Sequence, residues 1–245
     1  MGIKEILISQ PAPPAQSSPY TALVSKYKLN INFCPFFHVE PVSIKEWRAQ
    51  KVSILDYTAI IFTSKLTIDS FFKICEENRI TVPETMKYFC QSEAIALYLQ
   101  KYIVYRKRKI FFGTGTVASI IEAIGPKHKD EKFLITCTDG LKPEVKKLFT
   151  KEKMEHGSAV FVKTVYSDLS AMDIHKYQMV VFYSPSDVRS LKENYPDFEQ
   201  KDLLFATYGP NTAKAMKAEG LNVEIEAPTP AFPSIADALN HYLGK

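Results

Sequence analysis

The sequence has few of the residue patterns that mark common catalytic and metal sites. Its four cysteines are far apart, without a C-x-x-C pair, and fit reduced thiols in a cytoplasmic protein. The five histidines show no H-E-x-x-H or similar spacing, so we expect no metal site. No apolar run approaches the roughly 20 residues of a membrane span, and the N-terminus does not read as a signal peptide. We therefore expect no membrane partner.

An excess of charge of one sign is missing as well. The chain has 31 Lys and Arg against 27 Asp and Glu, a net charge of +4. Its densest basic run, Arg106–Lys109, is typical of a solvated face, so no nucleic-acid partner is expected. The mild positive charge favours an anionic ligand slightly. With 245 residues, of which 46% are hydrophobic, one large domain or two smaller ones are possible.

Short apolar runs rich in Val, Ile and Phe alternate with amphipathic helical patterns. This alternation predicts an α/β fold whose parallel sheets are covered on both faces. The predicted strands are Ile6–Ser9, Ile31–Cys34, Ala59–Thr63, Tyr88–Cys90, Ile103–Tyr105, Phe133–Cys137, Ala159–Val162, Met179–Tyr183, Leu204–Thr207 and Val223–Ile225. The predicted helices are Lys65–Glu77, Ser92–Gln100, Thr116–Ile124, Pro143–Phe149, Asp187–Glu193 and Thr212–Glu219.

An internal repeat refines this prediction. Ala59–Ser64 and Met179–Ser184 share one pattern, an apolar strand ending in serine, at an offset of 120 residues. A second strand and helix follow in each half about 25 residues later. The sequence therefore predicts two similar doubly wound parallel-sheet domains with a cleft between them, a common place for a ligand.

Four segments contain candidate site residues. Ser64 and Ser184 end buried strands before helices, where serine caps a helix and where the N-terminus also suits an anion. Thr207–Ala213 has a glycine that permits close approach, and Asn211 or Thr212 is a candidate helix cap. An ordinary strand–turn–helix junction explains it equally well. Phe112–Thr116 has glycines but lacks a complete phosphate-loop or dinucleotide motif, and no strand is predicted to lead into it.

Together, these segments resemble the uroporphyrinogen-III synthase family. Val180–Ser186 is similar to the family's strand ending in a Ser-Pro-Ser turn, and Tyr208–Ala213 to its G-x-x-T-A helix start. Gly220 and Ala227–Thr229 resemble the glycine stop and the proline–threonine segment that follow. In the first half, Ile61–Ser64 looks like the F-T-S strand end, and Ala159–Tyr166 like the strand that leads to the family's tyrosine.

The resemblance implies two α/β domains joined by a two-stranded linker. Domain 1 is expected to comprise residues 1–36 and 168–245, and domain 2 residues 43–162. The linker strands are then 37–42 and 163–167. The implied activity is cyclisation of hydroxymethylbilane, with loss of water and inversion of ring D, by a cytoplasmic monomer that needs no cofactor.

The resemblance also implies roles for individual residues. Tyr166 is expected to be catalytic, as a weak acid that assists the leaving hydroxyl. Carboxylates of the linear tetrapyrrole are expected to bind at Thr63, Ser64, Ser184, Tyr208, Gly209 and Thr212. Three departures from the family pattern stand out. Ser9-Gln10-Pro11 replaces Thr-Arg-Pro, and Cys90 and Glu93 are the expected first-half counterparts of Gly209 and Thr212.

Two alternatives remain open on the residues. One is a non-catalytic paralogue that binds a small anion, because the first half-site has lost family residues. The other is a nucleotide-dependent transferase that uses Gly113–Thr116.

Overall fold

The computed structural model describes residues 2–14, 16, 18–139 and 143–244. The chain divides into two compact units. Unit 1 comprises Met1–His38 and Val165–Lys245, and unit 2 comprises Val39–Thr164. Each unit is built of a mainly parallel sheet with helices, which confirms the predicted α/β class with two domains. The cleft stays a prediction.

Unit 1 contains a five-stranded parallel sheet with the strand order β11-β10-β9-β1-β2. Its strands are β1 (Glu5–Ile8), β2 (Asn30–Phe33), β9 (Met179–Phe182), β10 (Leu204–Tyr208) and β11 (Ile225–Ala227). Its helices are α1 (Thr21–Tyr27), α7 (Pro185–Asn194), α8 (Pro210–Ala218) and α9 (Ile235–Leu243).

Unit 2 contains most of a six-stranded sheet with the order β3-β8-β7-β4-β5-β6. The strands are β3 (Phe37–Pro41), β4 (Ala59–Phe62), β5 (Lys87–Cys90), β6 (Ile110–Phe112), β7 (Phe133–Thr138) and β8 (His156–Tyr166). The helices are α2 (Ile44–Ala49), α3 (Lys65–Glu77), α4 (Glu93–Tyr98), α5 (Val117–Ile124) and α6 (Pro143–Lys151).

Strands β3 and β8 form the antiparallel edge of this sheet. Val42 N–H donates to the carbonyl oxygen of Phe161 at 3.0 Å, and Ser167 N–H donates to that of Phe36 at 2.9 Å. The chain passes from unit 1 to unit 2 within β3 and returns at the end of β8.

Burial on both faces explains the continuous apolar runs. All four residues of β4 and all four of β9 are buried. In unit 1, Ile8 and Val181 pack with helices α1 and α9, whereas Leu7 and Val180 pack with α7 and α8. The unit 1 sheet therefore lies between two helix layers, and the unit 2 sheet likewise packs with α3 in one core cluster and with α5 and α6 in another.

Sequence reasoning placed one strand wrongly, missed another and missed three helices. The predicted strand Ile103–Tyr105 is irregular instead. Ile103 and Tyr105 are partly buried against the core, whereas Val104 is 77% exposed. The edge strand is instead β6, directly after the basic run. Helices α1, α2 and α9 were not predicted. In the described part of the chain, no helix is long and apolar enough to cross a membrane.

Candidate functional site

Four of the predicted site residues lie at one edge of the unit 1 sheet. Strands β9 and β10 are parallel neighbours, so the residues that follow them meet at the carboxyl edge. Ser184 follows β9, Tyr208 ends β10, and Gly209 begins the turn that leads to Thr212 on α8. Ligands of open α/β sheets bind at this kind of edge.

The turn at Ser184 is an N-cap that is already occupied by a carboxylate. Ser184 Oγ accepts the N–H of Asp187 at 3.3 Å. In return, Asp187 Oδ2 accepts the N–H groups of Tyr183 and Ser184, both at 2.9 Å. Pro185 has no N–H, so Ser186 supplies the remaining donor of the first three helical residues. A substrate anion therefore finds little free backbone here.

Asp187 is fully buried. Burial raises its pKa above the ordinary aspartate value, and interactions with the Tyr183 N–H, the Ser9 hydroxyl and the Ser184 N–H oppose this only in part. The Ser9 hydroxyl and the Asp187 carboxyl interact without a hydrogen bond of normal geometry, and the buried Thr207 Oγ1 has no hydrogen-bond partner among the described residues. The layer beneath the α7 N-terminus is thus polar and only partly satisfied.

The turn at Gly209 has a backbone that favours glycine. Gly209 is the N-cap of α8, with φ 87° and ψ 140°. Its N–H donates to the Ala227 carbonyl at 2.6 Å, and its own carbonyl accepts the Thr212 N–H at 3.1 Å. The predicted cap at Asn211 or Thr212 is wrong, because Pro210 begins the helix and puts these residues at its second and third positions.

Crowding does not explain the glycine at position 209. A Cβ there would lie 3.9 Å from Thr212 Oγ1, which is ordinary contact, so the requirement comes from the positive φ. Thr212 is buried, whereas Tyr208 is 37% exposed. The partly exposed Tyr208 therefore lies next to a turn whose backbone conformation favours glycine.

Thr63 and Ser64 form the corresponding turn of unit 2. Ser64 caps α3: its Oγ accepts the Thr67 N–H at 3.2 Å, and Thr67 Oγ1 donates to the Ser64 carbonyl at 2.8 Å. The third helical residue, Thr67, carries no charge. The N–H groups of Lys65 and Leu66 belong to the first turn, where the helix itself offers no acceptor. This turn is better prepared for an anion than the turn at Ser184.

Tyr166 stands apart from the unit 1 edge residues. It ends β8, is half-buried, and lines a recess of about 320 Å³. The other lining residues, from the middle and end of α7, the segment after it and the C-cap of α8, are Arg189, Lys192, Glu193, Pro196 and Glu219. Because Ser184 and Gly209 lie at the opposite ends of these helices, unit 1 does not bring Tyr166 to them. Its catalytic role stays a prediction.

Sequence reasoning missed a pair of tyrosines at the unit 1 edge. The hydroxyls of Tyr20 and Tyr183 are hydrogen-bonded to each other, and the Tyr183 ring lies 5.5 Å from that of Tyr208. The repeat contained a signal, since its offset of 120 aligns Tyr183 with Thr63. No local pattern connects Tyr20 with Tyr183, which are 163 residues apart.

The glycine loop at Gly113–Thr116 does not form a phosphate cradle. Strand β6 leads directly into it, which sequence reasoning missed. A Cβ at Gly113 would lie 2.3 Å from Ser119 Oγ, so this glycine serves close packing. The loop's four N–H groups all have internal acceptors: Cys90 O for Gly113, Ser119 Oγ for Thr114 and Thr116, and Gln91 O for Gly115. The nucleotide alternative is not favoured.

The expected first-half counterparts of Gly209 and Thr212 are wrong. Cys90 is the buried last residue of β5, and Glu93 is the first residue of α4. The N-cap that corresponds to Gly209 is Ser92, because two residues, Gln91 and Ser92, separate β5 from its helix. Among the described residues, no group of three or more His, Cys, Asp or Glu side chains is arranged to hold a metal ion.

The fold defines a class: a duplicated, doubly wound α/β protein whose predicted site residues lie at strand-to-helix turns. The sequence model of uroporphyrinogen-III synthase (HemD) matches residues 18–237. The chain belongs to the uroporphyrinogen-III synthase family, whose members are cyclising hydro-lyases of tetrapyrrole biosynthesis that act on a small-molecule substrate.

Solved structures support the fold. Uroporphyrinogen-III synthetase from Helicobacter pylori matches with a TM-score of 0.57 at 14% identity, covering 99% of both chains. A mutant uroporphyrinogen III synthase from the extremely thermophilic bacterium Thermus thermophilus matches with a TM-score of 0.53 at 12% identity, covering 98% of this chain and 97% of that one. At such identities the likeness concerns the fold. No curated protein matches the chain.

Proposed function

We propose that this chain converts hydroxymethylbilane into uroporphyrinogen III. The observation that supports this most strongly is the family match across residues 18–237, on a fold that is similar to that of the solved synthases. The proposed enzyme is a cytoplasmic monomer without a nucleic-acid partner.

The proposed reaction begins with loss of the substrate's terminal hydroxyl as water. Electrons of the adjacent pyrrole nitrogen expel it, and an azafulvene cation forms. The substituted carbon of ring D attacks this cation, which gives a spiro intermediate. Fragmentation and recombination then close the ring with ring D inverted. Since the substrate supplies most of the reactivity, the protein's task is to hold one folded conformer and to suppress unrearranged closure.

The proposed binding residues are those at the strand-to-helix turns. In unit 1 these are Ser184, Tyr208, Gly209 and Thr212, and in unit 2 Thr63 and Ser64. Backbone N–H groups at helix N-termini suit carboxylates because the helix dipole adds to the hydrogen bonds. The N–H groups of Lys65 and Leu66, for which the helix itself offers no acceptor, favour unit 2 for this task, whereas Asp187 restricts the turn at Ser184.

We further propose that Tyr166 assists departure of the hydroxyl. Its place at the end of β8, in a recess with Arg189 and Lys192, supports a polar task. A neutral phenol is a weak acid, so its loss should slow the reaction without abolishing it. Tyr166→Phe is expected to lower kcat, with Tyr195→Phe as the control tyrosine of the same unit.

Product analysis tests the proposed function. The protein is supplied with hydroxymethylbilane made by a coupled enzyme, and the oxidised products are separated by HPLC. Uroporphyrin III is expected to dominate over uroporphyrin I. The anion-binding paralogue would instead leave only the I isomer of spontaneous closure.

A further inference from the structure

The unit 1 edge has two chemically different faces. Along each strand, alternate side chains point to opposite faces of the sheet. Tyr183 and Tyr208 share the parity of Val181 and Ala206, which pack with α1 and α9. Asp187, Ser184 and Thr207 belong to the other side, under α7 and α8. A tyrosine cluster of Tyr20, Tyr183 and Tyr208 therefore forms one face of this edge.

The hydrogen bond within the tyrosine cluster joins two hydroxyls and uses the hydrogen of only one of them. Tyr20 is 5% exposed, whereas Tyr183 is half-buried. Neither hydroxyl has another hydrogen-bond partner among the described residues. Either hydroxyl can be the donor in this pair. When Tyr20 donates, the Tyr183 hydroxyl hydrogen is available to an external acceptor, and an anion beside Tyr183 would select this arrangement.

The position of Tyr183 is fixed from several sides. Its N–H donates to Asp187 Oδ2 at 2.9 Å, and its ring packs 5.5 Å from that of Tyr208. Tyr20 is itself held against Phe33, at a ring distance of 5.7 Å. A donor that is held in place loses little conformational entropy when an acceptor binds. In addition, donation from Tyr20 polarises the Tyr183 hydroxyl and strengthens its own donation.

We propose that Tyr183, oriented by Tyr20, binds a carboxylate of the linear tetrapyrrole through its hydroxyl hydrogen. This rests on the proposed function, because the substrate class supplies the acceptor. Tyr183 is a binding residue and Tyr20 a positioning residue. Burial raises the pKa of both hydroxyls, so both keep their protons at neutral pH. A protonated phenol is the form that donates to a carboxylate.

The test compares Tyr183→Phe, Tyr20→Phe and the double variant with the parent, using the full chain and the coupled assay. Tyr183→Phe is expected to raise KM about 10- to 100-fold, the range for a hydrogen bond to a charged group, with little change in kcat. Tyr20→Phe should raise KM about threefold. In the Tyr183→Phe background, Tyr20→Phe should have no further effect on KM, since it acts through Tyr183.

Tyr195→Phe is the matched control. The Tyr195 hydroxyl donates within unit 1, to the carbonyls of Leu169 and Met172 at 2.7 Å, so its loss should lower Tm and leave KM at the parent value. A parent KM in Tyr183→Phe would overturn the inference, as would a fall in kcat at constant KM. Additive effects of the two substitutions would overturn the role of Tyr20. A parent protein that yields no uroporphyrin III would refute the proposed function itself.

Discussion

The two units use the same strand-to-helix turn with one decisive difference. Ser64 and Ser184 both cap a helix, with Thr67 and Asp187 at the third helical position. Thr67 leaves the unit 2 turn neutral, whereas Asp187 places a buried carboxylate in the unit 1 turn. A repeat can therefore keep its backbone while its electrostatics diverge. We therefore expect Ser64 to be the better carboxylate site, and we expect unit 1 to depend on its Gly209 turn and its tyrosines.

The likeness between the units extends one turn further along each helix. Ser70 Oγ donates to the Phe161 carbonyl, and Ser190 Oγ donates to the Phe36 carbonyl, each at 2.5 Å. Phe161 lies on β8, and Phe36 precedes β3. In each unit, a buried serine thus hydrogen-bonds to one of the two segments through which the chain passes between the units. Neither bond involves a ligand.

The largest expected effect separates the second turns of the two units. Gly209→Val forces a branched side chain into a backbone with φ 87°, which costs about 1–3 kcal/mol of strain. We expect a lower Tm and a large loss of kcat/KM. Ser92→Val is the matched control, because Ser92 caps α4 with extended backbone and makes no side-chain cap bond. If the two substitutions had equal effects on Tm and on kcat/KM, the Gly209 turn would not differ from the Ser92 turn.

Asp187→Asn tests the electrostatic difference through pH. The folded-state pKa of Asp187 is raised, so its contribution to stability is complete below the unfolded value of about 3.9. That contribution is lost as pH rises through the folded pKa, by about 1.4 kcal/mol for each unit of the shift. Parent stability should therefore fall relative to the variant as pH rises from about 3.5 to about 7, as urea unfolding would measure. A difference that grows in the parent's favour with pH would contradict the raised pKa.

Ser70→Ala and Ser190→Ala test the shared part of the turns. Each substitution removes one bond to a carbonyl that keeps a second donor, Val42 N–H at Phe161 and Ser167 N–H at Phe36. We expect each to lower the free energy of unfolding by about 1 kcal/mol. The exposed Ser25→Ala is the control and should change it little. If only one of the two substitutions lowered the free energy of unfolding, the two serine–carbonyl hydrogen bonds would not be equivalent.

The sequence predicted what the repeat and the apolar runs encode. Helix α3 was placed at its observed limits, and Ser64 and Ser184 were recognised where they cap helices. The short helix α1 and the three-residue strand β6 gave too little periodicity to be recognised. The Tyr20–Tyr183 bond escaped because only the fold brings these side chains together.

The last and smallest effect concerns which residues of the two units correspond to each other. Sequence spacing paired Thr212 with Glu93, but Thr212 is the buried third residue of α8, whereas Glu93 is the exposed first residue of α4. Thr212→Ala should therefore weaken substrate binding, by about 1 kcal/mol if its hydroxyl meets a carboxylate. Glu93→Thr should leave KM within about twofold, costing only the favourable interaction of an acid with a helix N-terminus, about 0.3–1 kcal/mol of stability.

Both variants are measured by steady-state kinetics with hydroxymethylbilane, with circular dichroism and Tm as controls for folding. Glu93 lines a surface recess with Tyr105, Lys107 and Phe112, none of which is a proposed binding residue. A folded Glu93→Thr protein should therefore keep the parent KM. A marked fall in KM would mean that the carboxylate of Glu93 repels the substrate, and that α4 contributes to the site despite its different register. A parent KM in folded Thr212→Ala would instead remove Thr212 from the proposed binding residues and leave the unit 1 edge to Gly209 and its tyrosines.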